Sequence, residues 1–227
     1  MLLPCRASKG ARSQGPLPMS LALALLASYL VGSIPFGLVL VRLVKGVDLR
    51  TVGSGNIGAT NAMRAAGKPV GLAVFALDFA KGWVAVFGFA GLVAGQEPLS
   101  WAATACGALS VLGHCFPVWL RFAGGKGVAT GCGALVAMDP LIWVIGGAVW
   151  LAALGLSRMV SLSSLAMGLS FPVAAWFLTG RVEPTTGAAL LALLILVRHR
   201  SNMARIVAGT EPKIGAKRAA APGAGGG

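Results

Sequence analysis

Apolar residues run in long blocks along this chain, separated by short polar clusters rich in Gly, Asn, Lys and Arg. Residues 19–41, 70–94, 99–120 and 160–180 each offer the roughly 20 apolar residues that carry a helix across a hydrocarbon core of about 30 Å. Three further blocks are shorter, at 127–138, 141–156 and 184–197. The pair flanking Asp139 and Pro140 reads either as two thin helices or as one kinked crossing. Charge placement decides between them, because short cytoplasmic loops are enriched in Lys and Arg. With seven crossings and the N-terminus outside, Arg42, Lys45, Arg50, Arg64 and Lys68 fall inside, together with Arg121, Lys126, Arg158 and the basic tail beyond residue 197. Arg181 stays outside. Merging the two short blocks would place the tail outside and erase this asymmetry. The pattern therefore predicts an all-α polytopic membrane protein with seven transmembrane helices, N-terminus outside, C-terminus cytoplasmic, and functional loops on the cytoplasmic face.

Composition agrees. The chain is 56% hydrophobic and 11% charged, whereas soluble domains carry about 25% charged residues, and its mean hydropathy is +0.82. Nineteen bases and six acids could not cover the surface of a soluble fold of this size. The net charge of +13 reads as cytoplasmic loop charge facing a membrane, not as a nucleic-acid surface. Cys5, Cys106, Cys115 and Cys132 lack CxxC spacing, and three of them lie in apolar blocks, so helix packing is their expected role. With only His114 and His199 and scattered acids, no metal centre is expected. The first eighteen residues carry Arg6, Lys9 and Arg12 on the side that should be poor in positive charge. Because Met19 stands just before the first apolar block, residues 1–18 are read as an extension without fold or a start-site artefact. Residues 19–215 form the membrane domain, and the low-complexity residues 216–227 are read as a disordered tail.

Gly53, Gly55 and Gly58 in VGSGNIGATNAMR have GxGxxG spacing, and Asp78 lies twenty residues beyond. A dinucleotide fingerprint needs a strand before the glycines and a helix after them, inside a parallel sheet. Here they occupy a charged loop between membrane helices, so that reading fails. Glycine amides with Ser54, Asn56, Thr60, Asn61 and Arg64 can instead form an anion cradle; a flexible turn-rich loop is the other reading. A second cluster, Gly124, Gly125, Lys126 and Gly127, precedes an apolar helix, where free N–H groups favour phosphate. Lys126 is followed by Gly127, so this is no Walker A loop. A third cluster, RHRSNMARIVAGTE, sets His199 and Asn202 at i, i+3 and Arg198 and Asn202 at i, i+4 on one helix face. Arg200 and Arg205 read as snorkelling cations. Ser161 and Ser163 serve either helix capping or ligand contact. Asp78 and Lys81, at i, i+3 in an apolar block, can pair with each other.

GSIPFG from Gly32, GSGNIGATNAMR from Gly53, GHCFPVWLRFAGGKGVAT from Gly113 and RHRSNMARIVAGTE from Arg198 together resemble the bacterial acyl-phosphate:glycerol-3-phosphate acyltransferase family. The likeness covers nearly all of residues 19–215. It implies transfer of an acyl chain from acyl phosphate to the 1-hydroxyl of glycerol 3-phosphate, giving 1-acylglycerol 3-phosphate, the first step of phospholipid synthesis. It implies no cofactor, a place in the bacterial cytoplasmic (inner) membrane among membrane lipids, and a functional link to the enzyme that makes acyl phosphate. By the same resemblance Ser54, Thr60, Asn61, Arg64 and Lys126 hold the phosphates with help from the Gly124 and Gly125 amides. Gly53, Gly55, Asn56, Gly58 and Gly127 shape the two cradles. His199 and Asn202 orient substrate, and Glu211 organises the cations. The HxxxxD signature of other acyltransferases is absent, since Trp119 and Ala204 stand where the acid would be. The main alternative is an organic-phosphate transporter, which would favour midplane sites and inverted repeats; the polar motifs lie instead in loops, and no repeat is evident.

Overall fold

The computed structural model describes residues 19–94 and 97–215, and all its regular elements are helices. The expectations for residues 1–18, Cys5 among them, and for 216–227 lie outside the described residues. Helix α1 (Met19–Gly32) leads through a break at Ser33, Ile34 and Pro35 into α2 (Phe36–Lys45). Pro35 has no N–H to donate, which ends the first ladder there. A short helix, α3 (Ala59–Ala66), precedes α4 (Lys68–Trp83), which runs on through a π-helical turn, Val84–Ala90, into α5 (Gly91–Ala94). Then follow α6 (Trp101–Cys115), α7 (Val128–Met138), α8 (Pro140–Ser157), α9 (Val160–Thr179), α10 (Val182–Arg198) and α11 (Arg200–Val207).

Among the described residues, five helical stretches are long and apolar enough to cross a membrane: Met19–Lys45, Lys68–Val93, Trp101–Leu120, Pro140–Ser157 and Val160–Thr179. The pair α10 and α11, bent by 59°, is apolar enough to make a sixth when taken together as one span. The blocks flanking Asp139 are two separate helices. Asp139 caps α8 by accepting from the Leu141 N–H at 2.8 Å, with Pro140 in the first turn, where its missing N–H costs nothing. Helix α7, by contrast, has eleven residues and rises only about 17 Å. Most of α7 is buried and packed against α4, α6, α8 and α10. Protein, not lipid, surrounds it, so its polar ends find partners without the helix matching the hydrocarbon thickness.

Small residues let the backbones meet. A Cβ on Gly82 would strike the Thr130 carbonyl and one on Gly133 the Phe79 carbonyl, so α4 and α7 touch main chain to main chain. Gly32 and Gly113 do the same for α1 and α6. Lipid tails provide no hydrophobic drive between helices, and close backbone packing of this kind replaces it. Cys106, Cys115 and Cys132 are free and buried, within a core that includes Phe171, Ile142 and Ile195.

Candidate active site

The first glycine loop is built around one side chain. Asn61, in the first turn of α3, is 2% exposed. Its Oδ1 accepts from the Ser54 N–H at 3.0 Å, and its Nδ2 donates to the carbonyls of Asn56, Val52 and Leu49 at 2.9–3.1 Å. Asn61 therefore scaffolds the loop, and its amide has nothing left for a phosphate. Gly53 has φ +61°, a left-handed conformation, and a Cβ there would collide with the Asn61 Oδ1. Gly55 is also left-handed, at φ +69°. Asn56 accepts the Gly58 N–H at 2.8 Å through Oδ1, which leaves its Nδ2 to donate. At the loop's entrance Asp48 caps the turn through the Arg50 N–H, and the Arg50 guanidinium beside it lowers the carboxyl to about 2.

The second loop corrects an expectation. The Gly124 N–H donates to the Cys115 carbonyl at 3.1 Å and the Gly125 N–H to the His114 carbonyl at 3.0 Å. Both amides close the end of α6 and cannot serve a phosphate. These residues are glycine for close packing: a Cβ on Gly124 would meet the His114 carbonyl and Pro117, and one on Gly125 the His114 ring. Gly127 is left-handed, at φ +77°, at the N-cap of α7, against Val111 and Cys115. The loop's carbonyls face a cation. Arg198 donates through Nε to Gly125 at 2.9 Å and through Nη2 to Gly124 at 2.6 Å, while lying 5.2 Å from the centroid of the Phe116 ring.

Lys126, held between these glycines, donates to the Asn202 Oδ1 at 2.5 Å. The Asn202 Nδ2 donates to Glu211 Oε1 at 2.7 Å, and the Arg205 Nε to Glu211 Oε2 at 2.8 Å. Burial lowers Lys126 to about 8; Glu211 opposes that shift, and the charges of Arg205, Arg198 and Arg64 add to it. Glu211 is itself buried, yet Ser161, Asn202 and Arg205 hold its carboxyl below the usual range against the cost of burial. Ser161 lies beside it without a well-formed hydrogen bond. Ser163 is spoken for, its hydroxyl donating back to the Met159 carbonyl at 2.9 Å within α9, so it neither caps the helix, whose N-terminus has no side-chain cap, nor is free for a ligand. His199 sits at the bend between α10 and α11, and its Nδ1 lies 2.8 Å from the Ile195 carbonyl. A carbonyl only accepts, so Nδ1 carries hydrogen and the neutral ring keeps its lone pair on Nε2.

A cleft of about 520 Å³ joins the three clusters, lined by Ser54, Gly55, Asn56, Phe116, Gly124, Lys126, Val197, Arg198, Arg200, Ser201, Asn202 and Arg205. Thr60 and Arg64 are exposed on α3 outside this lining, although the Arg64 charge still reaches Lys126. Arg200 and Arg205 line the cleft, which corrects their reading as snorkelling cations. Ser201 and Phe116 were not legible as site residues. One available signal was the recurrence of polar residues at 198, 201, 202 and 205, an i, i+3, i+4, i+7 helical face. A cleft ringed by cations and by amide and hydroxyl donors suits a phosphate-bearing ligand.

The family described as glycerol-3-phosphate acyltransferase matches residues 22–209. The chain belongs to this family. The acyltransferase is 46% identical over 201 residues to the glycerol-3-phosphate acyltransferase of Dinoroseobacter shibae, covering 88% of this chain and 96% of that one. It is 48% identical over 195 residues to that of Anaeromyxobacter dehalogenans, covering 85% and 96%. Among solved structures it resembles PlsY (YgiH), described as an integral membrane glycerol 3-phosphate acyltransferase, in its glycerol 3-phosphate form, with a TM-score of 0.81 and 42% identity over 86% of this chain and 96% of that one. The form of PlsY with lysophosphatidic acid gives a TM-score of 0.79 at 40% identity. These likenesses and the apolar helices make the acyltransferase a multi-pass membrane protein.

Proposed function

We propose that this chain transfers the acyl group of an acyl phosphate to the 1-hydroxyl of sn-glycerol 3-phosphate, releasing 1-acyl-sn-glycerol 3-phosphate and phosphate. The observation that carries this reading is the convergence of three separate polar clusters on one cleft, with Lys126, Arg198, Arg200 and Arg205 in its wall. Two phosphate-bearing substrates need that much positive charge, and the relatives' name and the ligand forms of PlsY supply the acceptor and the product. The transporter alternative is set aside by the family.

The 1-hydroxyl oxygen attacks the acyl carbonyl carbon, the bond from that carbon to the phosphate oxygen breaks, and phosphate leaves with the electron pair. Acyl phosphate is a mixed anhydride with a good leaving group, so positioning and stabilisation of developing charge suffice, without a covalent acyl-enzyme. Lys126 and the cleft arginines bind the phosphates, Ser54 and Asn56 add donors, and Arg64 adds charge from α3. Thr60 adds a hydroxyl beside it. Asn202 and Glu211 set the geometry of Lys126, and Asn61, Gly124 and Gly125 hold the loops. The proton passes to a substrate phosphate oxygen; the His199 Nε2 is the competing acceptor. Seven crossings, with α7 counted and the N-terminus outside, place the cleft on the cytoplasmic side of the inner membrane, where it receives acyl phosphate from the enzyme that makes it.

Purified protein in lipid, given palmitoyl phosphate and labelled glycerol 3-phosphate, should form labelled lysophosphatidic acid, and palmitoyl-CoA in parallel should not. Product only with palmitoyl-CoA would overturn the donor. A folded sample inactive with both donors would overturn the reaction.

A further inference from the structure

Against the second glycine loop, through His114, lies a group of ionisable side chains that the reaction does not use. Asp78 and Lys81 on α4 and His114 on α6 are each 5% exposed or less. The Lys81 Nζ lies 2.8 Å from Asp78 Oδ1, donates to the Gly32 and Ile34 carbonyls at 3.0 Å each, and lies 3.1 Å from the His114 Nδ1. An ammonium only donates, so the His114 Nδ1 accepts and its proton sits on Nε2. The Nε2 edge of the ring is pressed against Gly125, so closely that no Cβ would fit between them, and the His114 carbonyl holds the Gly125 N–H at 3.0 Å. One residue further along stands Lys126.

The four partners of Lys81 come from three places: its own helix, the break between α1 and α2, and α6. The two carbonyls it holds are at that break: Gly32 ends α1, whose last carbonyls lack intrahelical donors, and the Ile34 carbonyl also accepts the Phe36 N–H at 3.1 Å. Ionisable groups this deep in an apolar fold are expensive to keep and point to a purpose. Breaking such a pair leaves a buried charge alone, whereas replacing both members with neutral groups is tolerated. The same loop is also held by Arg198, whose guanidinium donates to the Gly124 and Gly125 carbonyls. The loop backbone thus meets the His114 ring at Gly125 and Arg198 at its carbonyls.

We infer that Asp78, Lys81 and His114 form a buried positioning cluster that, through the His114 ring against Gly125, sets the place of the Lys126 ammonium in the cleft. This rests on the reading of Lys126 as a phosphate ligand and deepens it. The cluster touches no substrate. It fixes where one of the site's cations stands, and a misplacement of about 1 Å can cost on the order of a hundredfold in rate.

The test compares Lys126→Ala, the neutral double variant Asp78→Asn with Lys81→Met, His114→Ala, His114→Gln and Gly125→Ala. Each is purified in detergent, and melting, kcat, KM for both substrates and the rate at which a water-soluble amine reagent modifies Lys126 are measured, the last by peptide mass spectrometry. The double variant, His114→Ala and Gly125→Ala should raise KM for a phosphate substrate about tenfold, with kcat lowered less than KM is raised, and should change the Lys126 modification rate. His114→Gln, which replaces the Nε2 edge with an amide, should recover part of the loss relative to His114→Ala. A purely structural cluster would lower melting and yield without moving KM or Lys126 reactivity. Folded variants with both KM values within twofold of wild type and unchanged Lys126 reactivity overturn the inference. If the double variant does not fold, the His114 and Gly125 variants decide alone. Full activity in Lys126→Ala would instead remove the phosphate-ligand reading itself.

Discussion

Lys126 should make activity and stability move in opposite directions across mild alkali. Its ammonium is partly buried between glycines and surrounded by other cations, which lowers it from the ordinary 10.5 to about 8. An unfolded chain keeps that proton to about 10.5, so between these values the unfolded state binds more protons than the folded one. Folding stability then rises with pH through this window. At 1.36 kcal/mol per pH unit, the gap corresponds to about 3 kcal/mol as an upper figure. Phosphate binding runs the other way, because it needs the cation. At pH 9 only about a tenth of Lys126 would remain charged in the free enzyme, and kcat/KM, which reports free-enzyme groups, should fall tenfold per unit above about 8. The assay is initial-rate formation of lysophosphatidic acid from pH 6.5 to 9.5, corrected for spontaneous hydrolysis of acyl phosphate, with melting in detergent over the same range. Lys126→Arg is the reference, since a guanidinium stays charged throughout. Its profile should be flat above pH 8, at a lower level, and its melting should lack the alkaline rise. Superimposable alkaline limbs in wild type and Lys126→Arg, or identical melting trends, would refute the reasoning.

Removing the Glu211 charge with Glu211→Gln weakens the bonds from Asn202 and Arg205 and takes away the one acid that favours protonated Lys126; melting should fall by the equivalent of about 1–3 kcal/mol, and the alkaline limb should move to lower pH. Because the Glu211 carboxyl is held below its ordinary 4.5, the stability it contributes is present at neutral pH and lost as pH drops through that folded value, a loss that acid melting curves of Glu211→Gln should lack. Asn61→Ala should leave the first loop without its scaffold, which hydrogen exchange would read as lost protection over residues 49–58 along with raised KM, while the α8 amides stay protected. His199→Ala tests the proton route: activity abolished at every pH with KM intact would make the Nε2 the acceptor, and a loss of less than about tenfold would favour a substrate phosphate oxygen.

Much of this protein was legible in its sequence. The apolar blocks follow from local composition, because that signal needs only neighbouring residues and the membrane, and the basic loops predict which ends of the helices share a side. The three polar clusters and the family resemblance come from the same local reading. The tertiary structure decided how each group is used. The partners of Arg198 lie 73 and 74 residues away, and that of Lys126 lies 76 away, so no local pattern could assign them. The Gly124 and Gly125 amides, free donors on paper, are claimed by the end of α6, and the Asn61 amide by its own loop. Buried backbone groups must find partners, and only the packed fold shows which competing acceptor reaches each donor first. Likewise α7 is short because α4, α6, α8 and α10 enclose it, so the solvent around a segment, protein or lipid, set the length it needed.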